Sequence, residues 1–114
     1  MKILILGYSS IFKKRILNVL IKNNIKFCIA SKSSMQQEKK AFAWYRNYNY
    51  ALKHSNADLV YISLPNSYHY YWAKKALNKN YHVIVDKPIS ENYSQAKNLI
   101  KIAKRKKKLL VEAT

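Results

Sequence analysis

Short runs rich in Ile, Leu and Val recur along this chain, and the stretches between them carry apolar residues at helical spacing; that alternation constrains the fold more than any other feature. The runs fall at residues 2–6, 25–30, 43–46, 58–64, 81–85 and 109–111. Between the first two, Ile11, Ile16, Leu17, Leu20 and Ile21 recur with helical period up to Asn23 and Asn24. Ser33 or Ser34 is placed to open a helix towards Phe42, and Asn47 to cap a brief one through Tyr50, Ala51 and Leu52. Ser67 is expected to cap a helix over residues 68–78, with Trp72, Ala76 and Leu77 on one face. Ser90 is expected to cap another that carries Ala96, Leu99, Ile100 and Ala103 and closes in the basic run 104–108, at the negative end of the helix dipole.

Strands apolar on both faces and joined by helices imply a parallel sheet covered on both sides. The expected fold is therefore α/β, a doubly wound parallel sheet in three α/β/α layers, whose ligand sits at the carboxyl ends of the strands near the switch point. A length of 114 residues holds one such domain, with neither linker nor internal repeat. A single Gly and two Pro leave room for few special turns.

The formal net charge is +17, which raises nucleic acid or an anionic membrane as partners. Against this, Lys outnumbers Arg about six to one, whereas surfaces that read phosphate favour Arg forks. Abundant Lys, Asn, Ile and Tyr together read as compositional bias, so a nucleic-acid partner is disfavoured. No apolar run nears the roughly 18–20 residues that span a bilayer, and the start is too short for a signal peptide. The lone Cys28, among apolar neighbours, suits a small core residue and a reducing, cytoplasmic compartment. His54, His69 and His82 are too scattered for a metal site, and His82 reads as a strand-edge packing residue. Trp44, Tyr45, Tyr48 and Tyr50 read as packing for the third strand and its helix.

The glycine stands where it matters, at the end of the first strand in Gly7-Tyr8-Ser9-Ser10-Ile11-Phe12. A strand that turns sharply into a helix needs a residue tolerant of unusual backbone angles, and the exposed amides that follow suit a pyrophosphate. The three-glycine dinucleotide fingerprint would place glycines where Ser9 and Phe12 stand. Two further stretches, Leu64-Pro65-Asn66-Ser67-Tyr68-His69 and His82-Val83-Ile84-Val85-Asp86-Lys87-Pro88, each follow or end a strand. Together with Val111-Glu112-Ala113, they resemble the glucose-fructose oxidoreductase and inositol dehydrogenase family (Gfo/Idh/MocA), over essentially the whole chain.

That resemblance implies an NAD(P)-binding Rossmann domain. Gly7, Ser9, Ser10 and Ile11 would supply the phosphate-binding turn, and Ser31 and Lys32 would face the adenosine ribose. A small hydroxyl followed by a cation suits a 2′-phosphate, so NADP is slightly favoured over NAD. Leu64, Pro65 and Asn66 would line the nicotinamide half, with His69 starting the helix below. Asp86, Lys87 and Pro88 stand at the family's Glu-Lys-Pro triplet beside the nicotinamide, with Asp86 one methylene shorter than the usual Glu. Lys87 would be the catalytic residue, stabilising oxyanion character on a substrate oxygen or relaying its proton.

The implied activity is hydride transfer between NAD(P) and a hydroxyl carbon of a sugar or sugar-like substrate. The family's second domain, which brings the substrate pocket and most of a homo-oligomer interface, is absent from these residues, and truncation is expected. The 114 residues alone are expected to bind cofactor without turnover. The alternatives are a non-catalytic nucleotide-binding or interaction module, favoured by Ser9, Phe12 and Asp86, and a basic nucleic-acid-binding domain.

Overall fold

The computed structural model describes residues 1–32 and 40–113. The apolar runs form β1 (Lys2–Leu6), β2 (Lys26–Ala30), β3 (Ala43–Tyr45), β4 (Leu59–Ile62), β5 (His82–Asp86) and β6 (Leu110–Ala113), shifted by no more than two residues from the expected bounds. They make one six-stranded sheet in the order β3-β2-β1-β4-β5-β6, with every neighbouring pair parallel. The order reverses between β1 and β4, so the carboxyl ends of these two strands flank the switch point expected of a doubly wound sheet.

The helices are α1 (Leu17–Lys22), α2 (Tyr48–His54), α3 (His69–Asn78) and α4 (Tyr93–Lys106). A single wide π-helical turn, Phe12–Ile16, leads into α1. Alternation along each strand then sorts the core into two clusters. Leu4, Leu6, Cys28, Ala30, Val60, Ile62, Val83 and Val85 meet α2, α3 and α4 on one face. Ile3, Ile5, Phe27, Ile29 and Tyr61 meet Phe12 and Leu20 on the other. Small residues on the first face, Ala51, Ala73, Ala76 and Ala103, let helices lie close to the strands. Cys28 is fully buried there, and burial pushes its thiol above the ordinary value.

Local chemistry corrects two caps. Asn47 does cap α2, accepting the Tyr50 amide at 2.8 Å. Ser90, however, does not cap α4: Asn92 accepts the Gln95 amide at 2.9 Å, and the Ser90 hydroxyl donates to the Asn92 carbonyl at 2.8 Å, bracing the approach. Ser67 lies inside a 3-10 turn, Asn66–Tyr68, and α3 starts only at His69 without a side-chain cap. Pro65 explains the delay, because its φ of −56° and ψ of 149° are extended and its carbonyl takes the Tyr68 amide at 2.9 Å, closing a tighter turn first. The helix expected from Ser33 or Ser34 lies outside the described residues. At the far end, Lys107 adopts left-handed angles (φ 57°) and stops α4 after the basic turn Lys104, Arg105 and Lys106.

Candidate functional site

Gly7 ends β1 at φ +96°, a conformation that L side chains rarely adopt. A Cβ there would run into the Ser63 carbonyl and stand 2.9 Å from Leu64 Cδ2. Both backbone angle and close approach therefore demand glycine. Its amide donates to the Ala30 carbonyl at 2.8 Å, and the turn beyond leaves Ser10 and Ile11 exposed.

The two departures from the three-glycine pattern have physical roles. Ser9 accepts the Phe12 amide on its hydroxyl at 3.1 Å and the Lys13 amide on its carbonyl at 3.1 Å, so it caps the helical segment itself. Phe12 is fully buried, its ring 6.0 Å from that of Tyr8 and 6.4 Å from that of Tyr61. Where a glycine would let helix and strand touch, this ring holds them apart, and the chain opens into its π turn at the same residue.

Three adjoining clefts run along the carboxyl edge of the sheet. One, of ≈ 330 Å³, is lined by Ser9, Ile11, Asn66 and His69 together with Ser63, Leu64, Pro65, Asp86 and Lys87. A second, of ≈ 270 Å³, shares Leu64 and Pro65 and adds Lys32, Tyr48, Tyr68 and Trp72. A third, of ≈ 170 Å³, shares Ile11, Asp86 and Lys87 and is closed by Arg15, Ile16, Tyr61 and Ala113. The fold thus gathers Ser9, Ile11, Lys32, Leu64, Pro65, Asn66, His69, Asp86 and Lys87 along one edge. Leu64 and Pro65 stand at the junction of two clefts rather than within one half alone.

Gly7, Ser31 and Pro88 shape this edge from behind. Ser31 is buried, and its amide donates to the Tyr45 carbonyl at 2.9 Å. The Pro88 carbonyl meets His69 Nδ1 at 2.7 Å, and the Leu64 carbonyl meets His69 Nε2 at 2.7 Å. His69 is only 1% exposed, so its ring ties the turn after β4 to the turn after β5. The next residue on, Ile89, donates its amide to Glu112 at 2.8 Å, linking that turn to β6 as well. His82 Nδ1 accepts the Leu109 amide at 3.0 Å, which makes it a hydrogen-bonding link between β5 and the start of β6 as well as an edge residue.

At the Lys32 end the polar chemistry is open. Its ammonium lies 5.5 Å from the centre of the Tyr48 ring, close enough for cation–π attraction. Burial raises the Tyr48 phenol above its ordinary value, while a hydrogen bond from the Lys32 backbone works the other way. Trp72 meets Tyr48 edge-on at 5.1 Å. At the other end the polar chemistry is closed around Asp86. Its two oxygens accept the Tyr61 phenol at 2.5 Å and the Ser63 hydroxyl at 2.9 Å. Burial first, then the bond to Asp86 and its negative charge, hold the Tyr61 phenol far above its ordinary range.

Sequence reasoning missed Ser63, Tyr61, Tyr68 and Trp72, and preferred packing to base stacking for Tyr48. Ser63 had one signal, a hydroxyl at the carboxyl end of an otherwise apolar strand. What remains fits a dinucleotide. A glycine-dependent turn with exposed residues faces the cleft, a cation flanked by aromatic rings stands at one end, and a lysine stands at the other.

Known proteins agree with this fold. The family model described as "Oxidoreductase family, NAD-binding Rossmann fold" (GFO_IDH_MocA) matches residues 1–114. Oxidoreductase C115.03 of Schizosaccharomyces pombe is 35% identical over 88 residues, 73% of this chain and 24% of that protein. The dTDP-3,4-didehydro-2,6-dideoxy-alpha-D-glucose 3-reductase of Saccharopolyspora spinosa is 37% identical over 65 residues, 57% of this chain and 20% of that one. Among solved structures, a 3-ketoreductase from Actinomadura kijaniata in complex with NADP and TDP-benzene superposes with a TM-score of 0.89 and 26% identity, over 98% of this chain and 36% of its own. The WlbA dehydrogenase from Chromobacterium violaceum, in complex with NADH and UDP-GlcNAcA, superposes at 0.90 but at 16% identity, so it speaks to the fold alone. This chain, which spans about a quarter of those sequence relatives and a third of those structures, belongs to the Gfo/Idh/MocA oxidoreductase family with its NAD-binding Rossmann fold.

Proposed function

We propose that these 114 residues are the cofactor domain of a longer NAD(P)-dependent oxidoreductase. The pyrophosphate lies at the turn Gly7, Ser9, Ser10 and Ile11. The adenosine ribose faces Ser31 and Lys32, with Tyr48, Tyr68 and Trp72 around the base. The nicotinamide lies beside Asn66, Asp86, Lys87 and Pro88. The observation that carries this reading is Gly7, held at φ +96° against the Ser63 carbonyl at the switch point, behind a cleft that Ser9 and Lys87 line together.

When bound, the nicotinamide supplies or accepts the hydride. Lys87 acts on the substrate oxygen. In the reducing direction its ammonium stabilises the growing negative charge on that oxygen and gives it a proton; in the oxidising direction it takes the proton back. The remaining residues orient and bind. A sugar-like substrate is supported by relatives whose names specify sugar reductases and an NADP-dependent D-xylose 1-dehydrogenase. Its pocket, and a homo-oligomer interface, belong to the parts of the longer protein beyond this domain, so the 114 residues bind cofactor without turning over a sugar.

Titrating NADPH and NADH fluorescence with this chain tests the reading. Binding of either supports it, with NADPH tighter because Lys32 supplies a cation where an NAD site uses a carboxylate. A second reading, a non-catalytic module, draws on Ser9, whose hydroxyl already occupies the Phe12 amide. Absence of binding by both cofactors favours that module, and steeply salt-dependent DNA binding in their place favours a nucleic-acid role.

A further inference from the structure

The hydrogen bonds around Asp86 form a chain whose proton positions follow from counting. Ser63 has one hydroxyl proton and gives it to Asp86 Oδ2 at 2.9 Å. The short contact between the Ser9 and Ser63 hydroxyls is therefore made with the Ser9 proton. That leaves the Ser9 oxygen to accept the Phe12 amide at 3.1 Å. Every donor points the same way, from an amide through two hydroxyls to a carboxylate, and bonds so aligned polarise and strengthen one another. On the opposite side, the Tyr61 phenol donates to Asp86 Oδ1 at 2.5 Å, and its raised ionisation keeps that donor in place.

The ends of this chain are two functional turns. Ser9 lies in the turn after β1, and Asp86 immediately precedes Lys87 at the end of β5. Between them stand Tyr61 in β4 and Ser63 just beyond its end, both turned towards Asp86 from adjoining clefts that share that residue. A shorter carboxylate at residue 86 fits this arrangement, since these two hydroxyls meet it from the side of the neighbouring strand. The Asp86 charge is met by two donors that neither face bulk solvent nor belong to a lysine, Ser63 being 3% and Tyr61 7% exposed.

We propose that Ser63 and Tyr61 are positioning residues. They clamp Asp86 to β4 and so fix where Lys87 stands toward the nicotinamide end, while Ser63 carries the orientation of Ser9 in the phosphate turn to the same carboxylate. This rests on the dinucleotide reading above. It predicts a selective effect for Tyr61, which touches Asp86 but no group of the phosphate turn, and a broader one for Ser63, which also holds Ser9.

The test compares, on this chain, the affinities of NADPH and NADH with those of their counterparts lacking nicotinamide, 2′-phospho-ADP-ribose and ADP-ribose. Tyr61→Phe is expected to lose roughly 3–10-fold in affinity for the nicotinamide cofactors, the scale of one hydrogen bond, and to leave the ADP-ribose ligands within about twofold, whereas Ser63→Ala is expected to weaken both ligand types because it also releases Ser9. Ser63→Thr, which keeps the hydroxyl, is expected to restore the loss. Equal weakening of both ligand types by Tyr61→Phe, or of neither, overturns the proposal while leaving the cofactor reading intact. Failure of the unaltered chain to bind any of the four overturns both. Should Ser63→Ala not fold, Tyr61→Phe, which removes a single oxygen from the other side of the carboxylate, carries the test by itself.

Discussion

The two ends of the carboxyl edge are built on different principles. At one end Lys32 is exposed and rests over the Tyr48 ring, in a cleft walled by aromatic side chains. At the other, Asp86 is held by two hydroxyls, and His69 ties the adjoining turns by both ring nitrogens. A long ammonium over a ring can swing to meet a ligand at little cost, because its bonds to water are easily exchanged. A carboxylate fixed from two sides cannot. The first end suits recognition and affinity, the second suits placement of a reacting group.

Four substitutions or conditions probe that contrast, taken from the largest expected effect to the smallest. Gly7→Ala strikes where both ends meet: forcing a Cβ at φ +96° against the Ser63 carbonyl is expected to cost about 3 kcal/mol or more, and to abolish NAD(P)H binding, as read by denaturant unfolding and fluorescence titration. His69→Ala strikes the fixed end alone. It leaves a cavity and removes the ring that bridges the Leu64 and Pro88 carbonyls, an expected loss of about 2–4 kcal/mol by thermal or denaturant unfolding.

Lys32→Glu strikes the open end alone. The ratio of NADPH to NADH affinity is expected to fall by about tenfold or more, with stability within about 0.5 kcal/mol of the starting chain. A fall in NADH affinity equal to that in NADPH affinity would show that the two ends are not separable. The smallest effect is alkaline. The Tyr61 phenol is raised above its ordinary value of 10.0, so above that pH the unfolded chain releases a proton that the folded chain retains. Its contribution to stability is complete below about pH 10 and declines as pH rises further. Phenolate absorbance followed against pH checks this, and Asp86→Asn is expected to bring the transition down only part of the way, because burial is the leading cause.

The open end was easier to read from sequence than the fixed one, and the reason is physical. Lys32 follows from its place after a strand, whereas Lys87, at the fixed end, is reached only through the resemblance of its Asp-Lys-Pro setting to the family's triplet. The central strands announced themselves because they are apolar on both faces, as with Val83 and Val85 on one side and the half-buried Ile84 on the other. That same all-apolar character hid the clamp. In Leu59-Val60-Tyr61-Ile62 no alternation reveals which residue faces which side. Register with β1 and β5 decides it, pairing Tyr61 with Ile5 and Ile84 and turning its phenol towards Asp86. Caps failed for a related reason. Ser90 and Asn92 are both good capping residues, and only the path of the loop selects between them.

Phe12 has a consequence beyond its own packing. A glycine at that position would fix the height of the following helical segment by direct backbone contact, leaving nothing to adjust. An aromatic post makes that height a function of side-chain volume. The turn bearing Ser9, Ser10 and Ile11 is thus carried on a replaceable spacer, and its position can be tuned from beneath, by exchanging one core residue for another, without altering any group that faces the cleft.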